Sequence, residues 1–335
     1  MTKIERPFGN KVFFLSGDFR QTLPVVPHGG RGLIVESCIK RNSLWPLVKQ
    51  FRLTKNLRVD RGEDDFAAYL LNVGDGFLPK DSKDSWPFAA EIVSDLRGLS
   101  CPIDFVYENL ESDILDGKIV DKAILAPRNI DCVEINKKVL NLLKGEAELY
   151  VSFDRVISDS PRAQLDFPVE YLNTLEVSGL PAHSLILKKK AIVMLMRNLH
   201  IASGLVNGTR LEVLDMLRHT IECKVLSGSG KGRQVLIPRI SLSPSTTMLP
   251  VPFSRCQFPL ALAFAMTINK SQGQTLSTVA VSFREPVFGH GQLYVALSRA
   301  RSFHNVKIFI QEGPQQRVLE NGNIYTKNVV YQEVL

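Results

Sequence analysis

TVAVSF at 278–283, HGQLYVALSRA at 290–300 and VKIFI at 306–310 read in that order as a strand, a helix and a strand. The two short runs are apolar at nearly every position, as a strand covered on both faces must be. Between them Leu293, Ala296 and Ala300 fall at helical spacing and mark the face such a helix buries. Alternation of this kind is the pattern of an α/β layered domain.

The same texture extends upstream. AFAMTINKSQG at 263–273 reads as a helix. KVFFL at 11–15, ended by Ser16-Gly17-Asp18, reads as a buried parallel strand that delivers a polar loop at its carboxyl end, where ligands of open α/β sheets bind. AILA at 123–126 repeats that arrangement ahead of Pro127-Arg128-Asn129, and Cys132, Ile135, Val139 and Leu142 then predict a buried helix face. EDDFAAYLLNV at 63–73 predicts an amphipathic helix, acidic in its first turn and closed by Gly74. From about Leu187 the runs become short and alternating, broken by Asn-Gly and Gly-Ser-Gly turns, and predict a small antiparallel barrel inserted in the α/β domain.

Composition agrees with a globular chain: 44% of residues are hydrophobic and 22% charged, too apolar for a disordered tail and too charged for a membrane bundle. Its longest apolar runs fall far short of the roughly 20 residues that span a bilayer. The five cysteines are scattered and never form a C-x-x-C pair, so neither a disulfide framework nor a zinc knuckle is expected, and a reducing compartment fits. No signal-peptide pattern opens the chain. The net charge of +7 makes nucleic acid a reasonable partner without establishing it.

Three segments carry chemistry. In Gly17-Asp18-Phe19-Arg20-Gln21, the Gln21 amide can hydrogen-bond a phosphate oxygen or an attacking water. In 265–275, Thr267, Lys270, Ser271, Gln272 and Gly273 offer hydroxyls, an ammonium, an amide and close backbone approach to a phosphate chain. In 291–301, Arg299 lies near the end of the helix, where a fixed guanidinium can neutralise charge on a transferred phosphoryl group. Taken singly, each also reads as a polar turn, a solvated loop or a surface ion pair.

Together, GDFRQTLPVV, LTKNLR, AILAPRN, GLVNGTRLEV, QFPLALAFAMTINKSQGQTL and GHGQLYVALSRARS resemble superfamily-one helicases, and most closely the petite-integration-frequency helicase family, in particular its branch found in Helitron transposons. The resemblance implies an ATP-dependent DNA helicase that moves 5′-to-3′ on single-stranded DNA and opens duplex junctions, as a monomer in the nucleus or mitochondrion, with ATP and Mg2+ as its nucleotide and metal. It implies that Gly17, Asp18 and Gln21 face the nucleotide, with Gln21 sensing the γ-phosphate. Arg58, from LTKNLR, reaches the nucleotide; Arg299 is the arginine finger; Gln272 and Gly273 lie at the phosphates, and Thr267, Lys270 and Ser271 at DNA. Asn269 stands where many relatives carry His.

The implied fold is α/β: a RecA-like second helicase domain of the P-loop NTPase type over 51–186 and 251–315, with a small Src-homology-three-like antiparallel β-barrel inserted at 187–250. Residues 1–50 are the expected terminal piece of the first RecA-like domain, and 316–335 a C-terminal tail. The family's G-x-x-x-x-G-K-[ST] phosphate loop and its Asp-Glu magnesium pair have no match in the chain. Gly228-Ser-Gly-Lys-Gly232 lacks the first glycine and the final hydroxyl, and reads as a hairpin turn. The expectation is therefore a helicase that begins after its magnesium motif and is inactive alone, the alternative being a non-catalytic single-strand-binding remnant of a transposon helicase.

Overall fold

The computed structural model describes residues 7–80, 85–93, 101–158, 166–177, 179–244, 251–314, 316–318 and 324–335. The chain divides into two units: Met1–Phe105, Leu125–Arg128 and Thr267–Leu335 form the first, Val106–Ile124 and Asn129–Met266 the second.

In the first unit the Thr278–Phe283 and Val306–Ile310 strands pair in parallel, Val279 opposite Val306 and Phe283 opposite Ile310. The short Gln292–Leu297 helix lies in their crossover, which parallel pairing requires. Val279, Ala280, Val281 and Phe283 are all buried, and so are Leu293, Ala296 and Ala300 on the expected helix face. The Asp64–Asp75 helix carries Asp64 and Asp65 in its first turn, where the dipole favours them, and buries Phe66, Leu70, Val73 and Gly74. It is closed by Gly76 at φ +75°, not by Gly74. Gly74 answers a different demand, because a Cβ there would lie 2.7 Å from Cδ of Arg20 and 2.9 Å from Cδ2 of Tyr294.

Two further expectations are corrected. KVFFL does not form a strand: residues 11–18 carry no regular structure, and Val12 and Phe14 are 101% and 85% exposed. A strand is defined by its hydrogen-bonded neighbour, and none stands beside this run among the described residues. AFAMTINKSQG is not an α-helix but the Ala265–Thr267 strand followed by a 3-10 turn, Ile268–Ser271. A run apolar at every position has no period that separates a buried strand from a buried helix. At the end of the chain, Arg317–Val318 and Ile324–Thr326 pair with each other and with Trp86–Pro87 in a three-stranded sheet.

The second unit contains a five-stranded antiparallel sheet in the order Leu260–Leu262, Ile192–Leu195, Arg210–Met216, Thr220–Val225, Gln234–Pro238. Where a small barrel is expected, the structure thus has a sheet that takes one strand from beyond 187–250. Gly228-Ser-Gly-Lys-Gly232 is a turn between two of its strands, with Gly228 and Gly232 at φ +78° and +86°. In a second sheet, Phe253–Gln257 runs between Phe153–Val156 and Ile240–Leu242. At its centre the Arg255 guanidinium is buried against Asp154, Nε at 3.0 Å and Nη2 at 2.7 Å. Its remaining N–H groups donate to the carbonyls of Leu172, Leu175 and Pro181 and so fix the Val169–Thr174 helix.

The Asn129–Leu142 helix buries Cys132, Ile135 and Val139 as expected, whereas Leu142 is exposed and Leu140 is buried instead. Buried Asn136 sets this orientation: its amide donates to the Leu262 and Ala265 carbonyls and accepts from the Ala265 N–H.

Candidate functional site

The loop that follows Gly17 is shaped by its own aspartate. Asp18 Oδ1 accepts the Arg20 N–H at 3.0 Å and its carbonyl accepts the Gln21 N–H at 3.1 Å, an Asx-type turn. Oδ2 accepts the Tyr294 hydroxyl at 2.9 Å. Burial, with Asp18 beside it, pushes the Tyr294 phenol up to about 12, so it remains a donor at neutral pH. Arg20 turns to the Asp64–Asp75 helix and grips Asp75 through Nε at 2.6 Å and Nη2 at 3.1 Å, the paired geometry a guanidinium makes best. That hydrogen bond raises the Arg20 pKa above its ordinary value.

Gly291 sets how close this loop approaches the Gln292–Leu297 helix. It has φ +71°, and a Cβ would lie 2.2 Å from the Arg20 carbonyl oxygen. Only glycine fits both demands.

The second component is the turn Ser271-Gln272-Gly273-Gln274. Gln272 at φ −54°, ψ 137° and Gly273 at φ +81°, closed by a 3.0 Å bond from the Gln274 N–H to the Ser271 carbonyl, make a type II turn. The Gln272 side-chain amide donates to Gln21 Oε1 at 3.3 Å, although 251 residues separate the two.

Arg299 braces this turn from within. Nη1 donates to the carbonyls of Ser271 at 3.3 Å and Gln274 at 3.0 Å, Nε to Val295 at 2.9 Å, and Nη2 to Ser298 Oγ at 2.8 Å. Arg58 reaches the same place, donating from Nε to Thr275 Oγ1 and from Nη1 to the Ser298 carbonyl, both at 3.1 Å. Among the described residues neither arginine has a carboxylate partner. Burial and then the Arg58 charge lower the Arg299 pKa to about 10, which leaves it protonated at neutral pH. Two neighbouring guanidinium charges, with no carboxylate in contact and Asp18 only within electrostatic range, form a place where an anion is electrostatically favoured.

The structure therefore gathers Asp18, Gln21, Arg58, Gln272, Gly273 and Arg299. It treats the other candidates differently. Gly17 is exposed and open around its Cα. Thr267 ends a strand, and Lys270 is exposed on the turn that follows. Ser271 is fully buried, with its hydroxyl donated to the Ile268 carbonyl, so it is not presented to a ligand. Arg299 is 1% exposed, whereas Arg58 is partly exposed. Asn269 accepts from Gln292 Nε2, while Gln292 Oε1 accepts the Phe288 and Gly289 N–H groups.

Asp75, Tyr294, His290 and Gln292 were not visible as site residues in the sequence. Gln292 alone left a signal, being a polar residue at the start of a helix buried nearly all round. For magnesium the fit is poor. No three His, Cys, Asp or Glu side chains cluster among the described residues, and both Asp18 oxygens already accept hydrogen bonds. Nor is any described helix long and apolar enough to cross a membrane.

Three family sequence models match the chain: one described as PIF1-like helicase over residues 1–84, one as the 2B domain of DNA helicase Pif1 over 170–216, and one as herpes helicase over 254–332. The ATP-dependent DNA helicase PIF1 of Xenopus laevis is 29% identical over 308 residues, 91% of this chain and 42% of that protein. The human protein of the same name is 38% identical over 147 residues, 43% of this chain and 22% of its own. The chain thus spans less than half the length of these relatives. The crystal structure of Pif1 helicase from Candida albicans superposes with a TM-score of 0.60 at 27% identity, covering 91% of this chain and 66% of that one. Family matches in chain order, a relative aligned along 91% of the sequence and a superposable α/β fold converge: the chain is similar to Pif1-like helicases along most of its length.

Proposed function

We propose that the chain carries the nucleotide-responsive and DNA-tracking parts of an ATP-dependent DNA helicase, which couples ATP hydrolysis to 5′-to-3′ movement on single-stranded DNA and to opening of duplex junctions. The observation that carries this reading is the convergence of Gln21, Gln272, Arg58 and Arg299, from four distant segments, around one turn.

In this reading the Gln21 amide meets the terminal phosphate or the attacking water, and the two guanidinium groups neutralise the charge that builds as the phosphoryl group transfers. An arginine in that role accelerates turnover by roughly 10³–10⁵. Gln272 joins the sensing loop to the strand and turn that carry Thr267 and Lys270, so a change at the phosphate alters the segment assigned to DNA. Gly273 lets the turn backbone come close to the phosphates. ATP is the nucleotide, and the described residues do not make a site for the Mg2+ that helicase activity implies.

The test is ATP hydrolysis by the 335-residue chain with and without single-stranded DNA, beside Arg58→Ala and Arg299→Lys. Stimulated turnover that falls at least a hundredfold in both variants supports the reading; stimulated turnover indifferent to both refutes the arginine assignment. The engagement of both Asp18 oxygens favours a second reading, a non-catalytic single-strand-binding protein. DNA binding without turnover would select it.

A further inference from the structure

The last eight residues close over the loop that carries Gln21. Asn328 Nδ2 donates to the Val73 carbonyl at 2.9 Å, the Val329 carbonyl accepts the Gly291 N–H at 3.1 Å, and Gln332 Nε2 donates to the Asp75 carbonyl at 2.7 Å. Val334 is buried with Val35 and Cys38, and Phe19, Leu23 and Tyr331 pack around them. Arg31 pairs with Glu333 at 2.8 Å and lies 4.9 Å over the Tyr331 ring, while Lys40 Nζ donates to the Leu335 carbonyl.

One side chain joins this strap to the loop. His290 is 3% exposed and stacks on Tyr331, with ring centres 5.3 Å apart. Its Nδ1 lies 2.8 Å from the Tyr331 N–H and its Nε2 lies 2.8 Å from the Phe19 carbonyl. A backbone N–H can only donate, so Nδ1 must be the unprotonated nitrogen; Nε2 then carries the hydrogen and donates to Phe19. Both bonds are satisfied by one state of the ring alone, the neutral Nε2–H tautomer. A second proton would set N–H against N–H at Tyr331.

We propose that His290 is a positioning residue and proton-sensitive latch: neutral, it ties the loop bearing Gln21 to the C-terminal strap, and protonation unhooks the strap from the loop.

The charged surroundings are mixed. Asp18 on the loop and Glu333 on the strap favour the imidazolium, Arg31 on the Arg31–Glu36 helix opposes it, and Arg20 next door is paired with Asp75. Burial is the largest influence and lowers the His290 pKa. A lowered pKa in the closed form means that the strap holds fully above the free value of about 6.5 and weakens as pH falls below it, by up to about tenfold per pH unit, until the lowered pKa is reached.

The test reads two signals on the unaltered chain between about pH 5 and 7.5. Nitrogen NMR of the imidazoles gives the tautomer and titration of His290, and hydrogen exchange of residues 328–335, corrected for intrinsic rates, gives strap opening. The expected result is an Nε2–H imidazole titrating below about 6.5, with strap opening rising over the same range. In His290→Phe, which keeps a ring against Tyr331 but no nitrogen, opening should be high and independent of pH. A His290 titrating at or above the free value, or a wild-type strap whose opening ignores its titration, overturns the proposal even if the variant fails to fold.

The consequence for turnover rests on the helicase reading above: DNA-stimulated ATP hydrolysis should fall in kcat with the same midpoint. A strap that opens as described in a chain without turnover would sink that reading and leave the latch standing. A strap that stays shut while turnover is normal would do the reverse.

Discussion

Replacing Gly291 by alanine should detach the Asp18–Gln21 loop from the helix beneath it. The added Cβ would lie 2.2 Å from the Arg20 carbonyl oxygen and 2.7 Å from the Gln21 carbonyl carbon, both backbone atoms that no rotamer change can move. Non-bonded carbon and oxygen atoms settle beyond ~3 Å, so the loop has to retreat by about 1 Å. The bond from Gln272 to Gln21, already 3.3 Å long, does not survive that shift. Alanine at φ +71° adds a left-handed strain of about 1–2 kcal/mol, and overpacking a filled site adds about 1–3 kcal/mol, giving a loss of about 2–5 kcal/mol. Gly289→Ala is the matched control, since its nearest neighbour would be the Gln292 side chain at an ordinary 3.4 Å, and it should cost less than ~0.5 kcal/mol. Urea unfolding followed by Trp45, whose ring meets Phe19 at 5.7 Å, reads the loop directly in a Trp86→Phe background with no other tryptophan. If Gly291→Ala matched Gly289→Ala in midpoint, the packing argument for this loop would be wrong.

Other expectations are narrower. Arg255→Met should lower stability by about 3–5 kcal/mol because it leaves the Asp154 carboxylate buried and unpaired, while adding Asp154→Leu should recover most of the loss; urea titrations of the single and double variants giving equal losses would contradict this. Lys270→Ala should weaken single-stranded DNA binding and reduce the slope of log K against log salt by about 0.7, one phosphate contact on a single strand, and an unchanged slope would remove Lys270 from the DNA path. Gly273→Ala, at φ +81° with nothing near its Cβ, should cost only the backbone strain of about 1–2 kcal/mol, measured by thermal unfolding; a larger loss would point to a contact that the geometry lacks.

What could be seen in the sequence followed from local rules. The Thr278–Phe283 strand is apolar at most positions because it is largely covered, and Leu293, Ala296 and Ala300 keep helical spacing within a helix that is buried nearly all round. Gly228 and Gly232 announced their hairpin turn for the same local reason. Pairings between distant segments left no such trace. Arg20 finds Asp75, Arg58 finds Thr275 and Gln21 finds Gln272 across 55, 217 and 251 residues, and no period in the chain encodes a tertiary contact. KVFFL shows the converse limit: strand propensity states what a segment can do, whereas the neighbouring strand decides whether it does. The acid pair and phosphate loop of helicases are absent from the sequence, and the gathered residues accordingly supply cations and amides but no acid cluster.

Arg299 has one more consequence, which concerns mutation. Its guanidinium holds two carbonyls of the Ser271–Gln274 turn at once and so reinforces the turn's own backbone bond from within. In a mutational scan, loss of the guanidinium at position 299 would therefore disturb the turn whatever side chains positions 271 and 274 carry, because the atoms it grips belong to the backbone.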